Sequence, residues 1–149
     1  MTLNISMITG RIDVIRTALA HLKDLSTLPK EEFLRDYKNP ASAETFLRHC
    51  LEAAFDIGRH ILAKTGNVRL THEYKDIARG LGKGGVLSQA LVNKLVEMAG
   101  YRNRIVHFYH EITDEELYQI LQTDLNDFRD FLKEIGQFLE KQQNKKDSP

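Results

Sequence analysis

Residues 87–110 read LSQALVNKLVEMAGYRNRIVHFYH. Leu87, Leu91, Leu95 and Met98 recur at intervals that keep one stripe of an α-helix apolar. The stripe runs straight into residues 101–110, which hold two arginines, two histidines, two tyrosines and an asparagine around Ile105 and Val106. The first half of this stretch speaks to the fold. The second half asks what the fold presents.

Outward from this helix the same period repeats. Upstream, Ile5, Ile8, Ile12, Ile15, Leu19 and Leu22 form one face. The stretch 26–40, STLPKEEFLRDYKNP, reads as a connection with one helical turn that Pro29 could start. Asn39-Pro40 suits the cap and first position of a second helix. That helix carries Ala43, Phe46, Cys50, Ala53, Ile57 and Ile61 on one face and ends at Gly66-Asn67. Tyr74 to Ala78 reads as a short helix stopped by GLGKGG at 80–85. Downstream, Thr113 to Glu116 spells a capping box that opens a last helix. Its stripe is Leu117, Leu121, Phe128, Phe131, Ile135 and Phe138, interrupted at Asp124. No segment alternates with period two for long enough to make a strand. The expectation is an all-α bundle of four main helices plus a short connecting helix. Residues 1–140 are expected to form a single domain, with 141–149 a frayed polar tail.

The composition agrees. The chain has 149 residues, 42% hydrophobic and 28% charged, as in a soluble globular domain. No apolar run is long enough to span a membrane, and the N-terminus lacks the pattern of a signal peptide. A cytoplasmic protein is expected. Net charge is zero, but its distribution is uneven. Residues 69–110 carry 7 basic and 3 acidic side chains, whereas residues 111–149 carry 5 and 10. Local charge decides where a phosphate is drawn, so the middle of the chain is the favoured place.

Several motifs are weaker than they look. Gly80, Gly82 and Gly85 match G-x-G-x-x-G, but no buried strand precedes them, and a phosphate loop would need Gly-Lys-Ser/Thr. A helix-to-helix connection is the simpler reading. Cys50 lies on an apolar stripe, where a buried, inert thiol is the default. Asp56 and His60 are four residues apart and share a face. They read either as a surface pair or as a polar line facing a site. No Cys/His cluster suggests zinc, and no metal or other cofactor is expected.

Arg102, His107 and Tyr109 form the densest set of groups suited to phosphate chemistry. Arginine offers a fixed fork of donors and keeps its charge. Histidine takes and gives protons near neutrality. Together they suit metal-free cleavage of RNA: the histidine activates a 2′-hydroxyl or protonates the leaving oxygen, and the arginine holds charge growing on the phosphoryl oxygens. The spacing leaves a second reading open, a solvated basic helix end. On an ideal helix Arg102 and Tyr109 share a face, but His107 lies roughly 140° from Arg102. Either the helix ends near His107, or a second copy completes a shared cleft.

These residues resemble the HepT-like branch of the HEPN family, whose motif is R-x4-6-H-x-Y. CLEAAFDIGRHI is similar to that family's second-helix pattern. GVLSQALVNKLVEMAGYRNRIVHFYHEI is similar to its central block. The likeness covers roughly residues 5–140. It implies a HEPN-type bundle that forms a homodimer, with Arg102 and His107 as the catalytic pair of a metal-independent ribonuclease. It makes Asn103 a supporting polar group, with Arg104 and His110 as electrostatic support only. The implied partners are an RNA substrate and a minimal nucleotidyltransferase (MNT) antitoxin that neutralises the toxin by transferring AMP to Tyr109. Such a transfer would set bulk and negative charge beside the cationic pair. The alternative is a non-catalytic helical module that docks the nucleotidyltransferase, and cleavage by the partner-free protein separates the two. A structural bundle without a ligand ranks last, because it leaves the cluster unexplained.

Overall fold

The computed structural model describes residues 2–66, 73–107 and 112–147. Those residues form helices without strands: α1 (Ile5–Ser26), α2 (Lys30–Arg35), α3 (Lys38–Lys64), α4 (Tyr74–Lys83), α5 (Gln89–Val106), α6 (Asp114–Thr123) and α7 (Leu125–Asp147). Four long helices carry the bundle, as the periodicity predicts. Three short helices accompany them where one was expected. Among the described residues no helix is long and apolar enough to cross a membrane.

α3 is the central element. Of the expected stripe, Ala43, Cys50, Ala53, Ile57 and Ile61 are buried and Phe46 is half-buried, but Leu47, Leu51, Ala54, Phe55 and Leu62 are buried too. A helix packed on several sides buries more than one stripe. α1 lies antiparallel against it, with Arg11 meeting Asp56, Ile15 meeting Cys50 and His21 stacking on Phe46. The Cys50 thiol has its pKa pushed up to about 12 by burial, the state of an inert structural cysteine.

Two boundaries differ from expectation near α3 and α4. α3 begins at Lys38, and Asp36 Oδ1 accepts the Lys38 N–H at 3.0 Å. Pro40 still sits in the first turn, where its missing N–H costs nothing. α4 runs past Ala78, through Gly80 and Gly82, to Lys83, so the stop expected within 80–85 falls at the far end of that stretch. Glycine is disfavoured in a helix interior, yet tertiary packing outweighs that here. A Cβ on Gly82 would lie 2.7 Å from Val92 Cγ2, so this residue lets α4 close onto α5. Gly58 does the same for α3, where a Cβ would lie 2.7 Å from Ile77 Cγ2. The real stop is Gly85, at φ +72°. Val86 N–H donates to Leu81 O at 2.9 Å and Gly85 N–H to Gly82 O at 3.1 Å, a Schellman closure with both Val86 and Leu81 buried.

The expected single last helix is two. It breaks at Asp124, the position where the apolar stripe is interrupted, and α6 and α7 bury the two halves of the stripe. α5 spans the bundle between these elements. Ser88 caps its start by accepting the Leu91 N–H, and Glu134 of α7 accepts both the Ser88 N–H (2.6 Å) and the Ser88 hydroxyl (3.0 Å). A carboxylate at that end also complements the helix dipole.

Candidate functional site

The C-terminal two turns of α5 carry Tyr101, Arg102, Asn103 and Arg104, and three of these side chains are each tied to a different part of the bundle. The Tyr101 hydroxyl lies 2.7 Å from Glu97 Oε1 and 2.9 Å from Asp124 Oδ2. One phenolic proton serves one carboxylate at a time. Burial, then these two hydrogen bonds and carboxylate charges, hold its pKa far above the ordinary phenol range. Burial likewise raises Asp127; Lys94 offsets part of this, while Asp124, Asp130 and Glu97 add to it. Tyr101 thus pins α5 to the α6–α7 break.

Arg104 pins it to α6. Its Nη1 and Nη2 reach the two carboxylate oxygens of Glu116, each at 2.6 Å. Hydrogen bonding to Glu116 raises its pKa further, so its charge is permanent. This changes the reading of both residues. Arg104 was expected to be general electrostatic support, whereas its charge is matched by a specific partner. Glu116 was expected to complete a capping box. Thr113 Oγ1 does accept the Glu116 N–H at 3.1 Å, but the Glu116 carboxylate pairs with Arg104. A bidentate charge-assisted pair is stronger than the return bond to a backbone N–H.

Arg102, between them, points at α4 and α3. Its guanidinium carbon sits 4.1 Å from the centroid of the Tyr74 ring, within cation–π range. The ring stands edge-to-face on Phe55, with centroids 4.9 Å apart, which anchors it in the core. Arg102 Nε lies 3.4 Å from Glu52 Oε1, an ion pair by distance. The alignment is not that of a hydrogen bond, and among the described residues Nε is a buried donor without such a partner. Both descriptions hold, since charge attraction tolerates an angle that hydrogen bonding does not. Arg102 Nη1 donates to Asn103 Oδ1 at 3.5 Å, the outer limit for such a bond. The Arg102 side chain is 18% exposed.

His107 ends the helix. It is the C-cap of α5, with φ −101° and ψ 110°, and its N–H donates to Asn103 O at 3.0 Å. The ring is exposed. The helix therefore ends at this residue, one of the two arrangements that the spacing leaves open. Tyr109 and His110 lie outside the described residues. Among the described residues no group of three or more His, Cys, Asp and Glu side chains is arranged to hold a metal ion.

Asp56 and His60 are used separately. Asp56 accepts from Arg11 Nε (3.0 Å) and Arg59 Nη1 (3.1 Å). His60 Nε2 accepts the backbone N–H of Asn4 at 2.9 Å, which fixes the proton of the neutral ring on Nδ1. Burial, then the Lys64 charge, lower the His60 pKa. In the sequence, Glu52 stands out only as part of the family-like stretch CLEAAFDIGRHI, and Tyr74 only as the start of a short helix. Their 50-residue and 28-residue separations from Arg102 leave no local signal.

Three comparisons bear on this geometry. Residues 15–135 match the family described as Ribonuclease HepT-like. The chain is 26% identical over 133 residues to the tRNA nuclease HepT of Aphanizomenon flos-aquae, covering 89% of this chain and 90% of that protein. It is 29% identical over 104 residues to the mRNA nuclease HepT of Shewanella oneidensis, covering 70% and 77%. Among solved structures, the tri-AMPylated Shewanella oneidensis HEPN toxin in complex with MNT antitoxin matches with TM-score 0.78 and 25% identity, over 91% of this chain and 98% of that one. The cytosolic protein of unknown function YutE from Bacillus subtilis matches with TM-score 0.79 at 20% identity, over 94% and 93%, a likeness of fold alone. With a family match that spans most of the bundle and the arginine–histidine helix end within it, this chain belongs to the HepT-like ribonuclease family.

Proposed function

We propose that this chain is the RNA-cleaving toxin of a toxin–antitoxin pair, that it cuts without a metal ion, and that Arg102 and His107 at a cleft between two copies perform the chemistry. The observation that carries the site is the pairing of a fixed arginine with an exposed histidine at the point where α5 ends. Its nuclease relatives, named for tRNA and mRNA, support RNA as the substrate class.

The reaction balances without a co-reactant. The 2′ oxygen of RNA attacks the adjacent phosphorus as His107 accepts its proton. The bond from phosphorus to the 5′ oxygen breaks, and that oxygen leaves with a proton from His107 of the partner subunit. The products are a 2′,3′-cyclic phosphate and a 5′-hydroxyl. Arg102 stabilises the charge on the non-bridging oxygens, and Asn103 steadies the guanidinium from the same turn. Glu52 lies where it competes for Arg102 until a phosphate arrives.

Neutralisation follows the MNT-bound toxin that this fold matches. The Tyr109 oxygen attacks the α-phosphorus of ATP and pyrophosphate leaves, placing AMP two residues from His107. The added anion competes for Arg102 and blocks the RNA.

Purified chain freed of its partner is expected to cleave RNA with EDTA present, and Arg102→Ala and His107→Ala are expected to abolish cleavage while remaining folded. Cleavage that needs a metal ion, or that survives both substitutions, overturns the mechanism. Incubation with the antitoxin and ATP is expected to add one or more AMP masses, absent in Tyr109→Phe.

A further inference from the structure

Tyr74 holds a second arginine. The Arg59 guanidinium carbon, from α3, sits 5.5 Å from the centroid of the ring whose other partner is Arg102 at 4.1 Å. The sum of those distances, 9.6 Å, is the upper bound on the separation of the two guanidinium carbons. Two like charges are thus brought together from different helices. The negative ring face, Glu52 and Asp56 offset part of their repulsion. Arg11 also converges on Asp56, so among the described residues three guanidinium groups meet two carboxylates. A structural ion pair between Arg59 and Asp56 alone would not require Arg59 to share the aromatic ring of the site arginine. Arg59 is also the more open of the two, with a side chain 38% exposed against 18% for Arg102.

We infer that Arg59 is a second phosphate-binding arginine, contacting the RNA phosphate next to the scissile one, and that Tyr74 is the positioning residue that sets both guanidinium groups. This rests on the reading of Arg102 as the arginine at the scissile phosphate. A single strand presents phosphates at regular short intervals, and two arginines this close can engage consecutive ones. The planar guanidinium fork suits a phosphate, and its Asp56 pairing pre-orients it. Arg59 therefore contributes to binding, whereas Arg102 contributes to the chemical step.

The test measures kcat, KM and the salt dependence of binding with a single-stranded RNA oligonucleotide. Arg59→Gln is expected to raise KM about tenfold, the effect of losing one charge-assisted hydrogen bond, with kcat near wild type. The slope of log K against log salt is expected to shrink by about 0.7, as for one fewer phosphate contact on a single strand. Arg59→Lys should recover part of both. Asp56→Asn breaks the ion pair but keeps the Arg59 charge, so the salt slope should stay near wild type. Tyr74→Phe, which keeps the ring, should be active, and Tyr74→Leu should lose in both kcat and KM. Wild-type KM and salt slope in Arg59→Gln overturn the inference. So does an Asp56→Asn variant that reproduces the Arg59→Gln loss with the slope unchanged in both, which would make the role structural. So does a loss confined to antitoxin binding. Arg102→Ala is run alongside: if it cleaves normally, the site assignment itself is wrong, whereas an inactive Arg102→Ala with a normal Arg59→Gln removes this inference alone.

Discussion

The two ends of α5 are built from different materials. The N-terminal end is held mainly by short-range devices, a serine cap, a Schellman turn before it and apolar residues at helical spacing, with Glu134 of α7 as its one long-range polar anchor among the described residues. The C-terminal end is held by long-range polar contacts: Tyr101 to Asp124, Arg102 to Tyr74 and Glu52, Arg104 to Glu116. Apolar packing fixes a helix without caring which donors face outward. The arginine proposed to act on the phosphate needs a direction, and direction comes from contacts that converge from several elements. Stability is therefore expected to concentrate at the first end and function at the second.

The largest expected effect sharpens that contrast. Arg102→Lys keeps the charge but loses the planar fork and the stacked geometry, so cleavage should fall about 10²–10³-fold with little change in melting temperature. A variant that cleaves normally would show that charge alone suffices there. Gly58→Ala tests the opposite side. The added methyl meets Ile77 and Leu81 within the core, and overpacking of about 1–3 kcal/mol should exceed the helix-propensity gain of about 1 kcal/mol. Denaturant unfolding should show the loss, and an increase in stability would mean that α4 can shift outward without cost. Ser88→Ala should destabilise by about 1 kcal/mol through its cap while leaving the cleavage chemistry intact. Glu116→Gln, at a half-exposed pair, should lower stability by no more than about 1 kcal/mol but reduce activity measurably by loosening the end of α5. If Ser88→Ala impairs cleavage more than Glu116→Gln, the division between the two ends fails.

The smallest effect is one of pH. His60 has a pKa lowered from 6.5, so the unfolded chain binds its proton more tightly than the folded one. Its contribution is complete above the unfolded value and is lost as pH falls through 6.5 and below. Thermal melts from pH 8 to pH 5 should therefore show a slightly shallower decline in His60→Gln than in wild type. An identical decline in both would mean that the Asn4–His60 bond does not report on folding.

Much of this was legible in the sequence for a definite reason. Apolar spacing at three and four residues needs only the local geometry of a helix, so α1, α3, α5 and the stripe shared by α6 and α7 could be placed from it. Even the break at Asp124 left its mark as an interruption. The stop expected within 80–85 falls there, at Gly85, but the helix runs past Ala78 to reach it, because glycine has two uses and only the closeness of Gly82 to Val92 shows that it packs inside α4. The capping box at Thr113 was half realised because Glu116 found a stronger partner twelve residues upstream.

The sequence by itself determined the helical class, the positions of the four long helices and the residue types gathered at 101–110, since periodicity and composition are properties of neighbours along the chain. Only the tertiary structure decided that Arg102 lies on Tyr74 beside Glu52, that Arg59 joins it there, and that Arg104 is matched by Glu116. Those contacts join residues from separate helices, and their directions exist only once the bundle has packed.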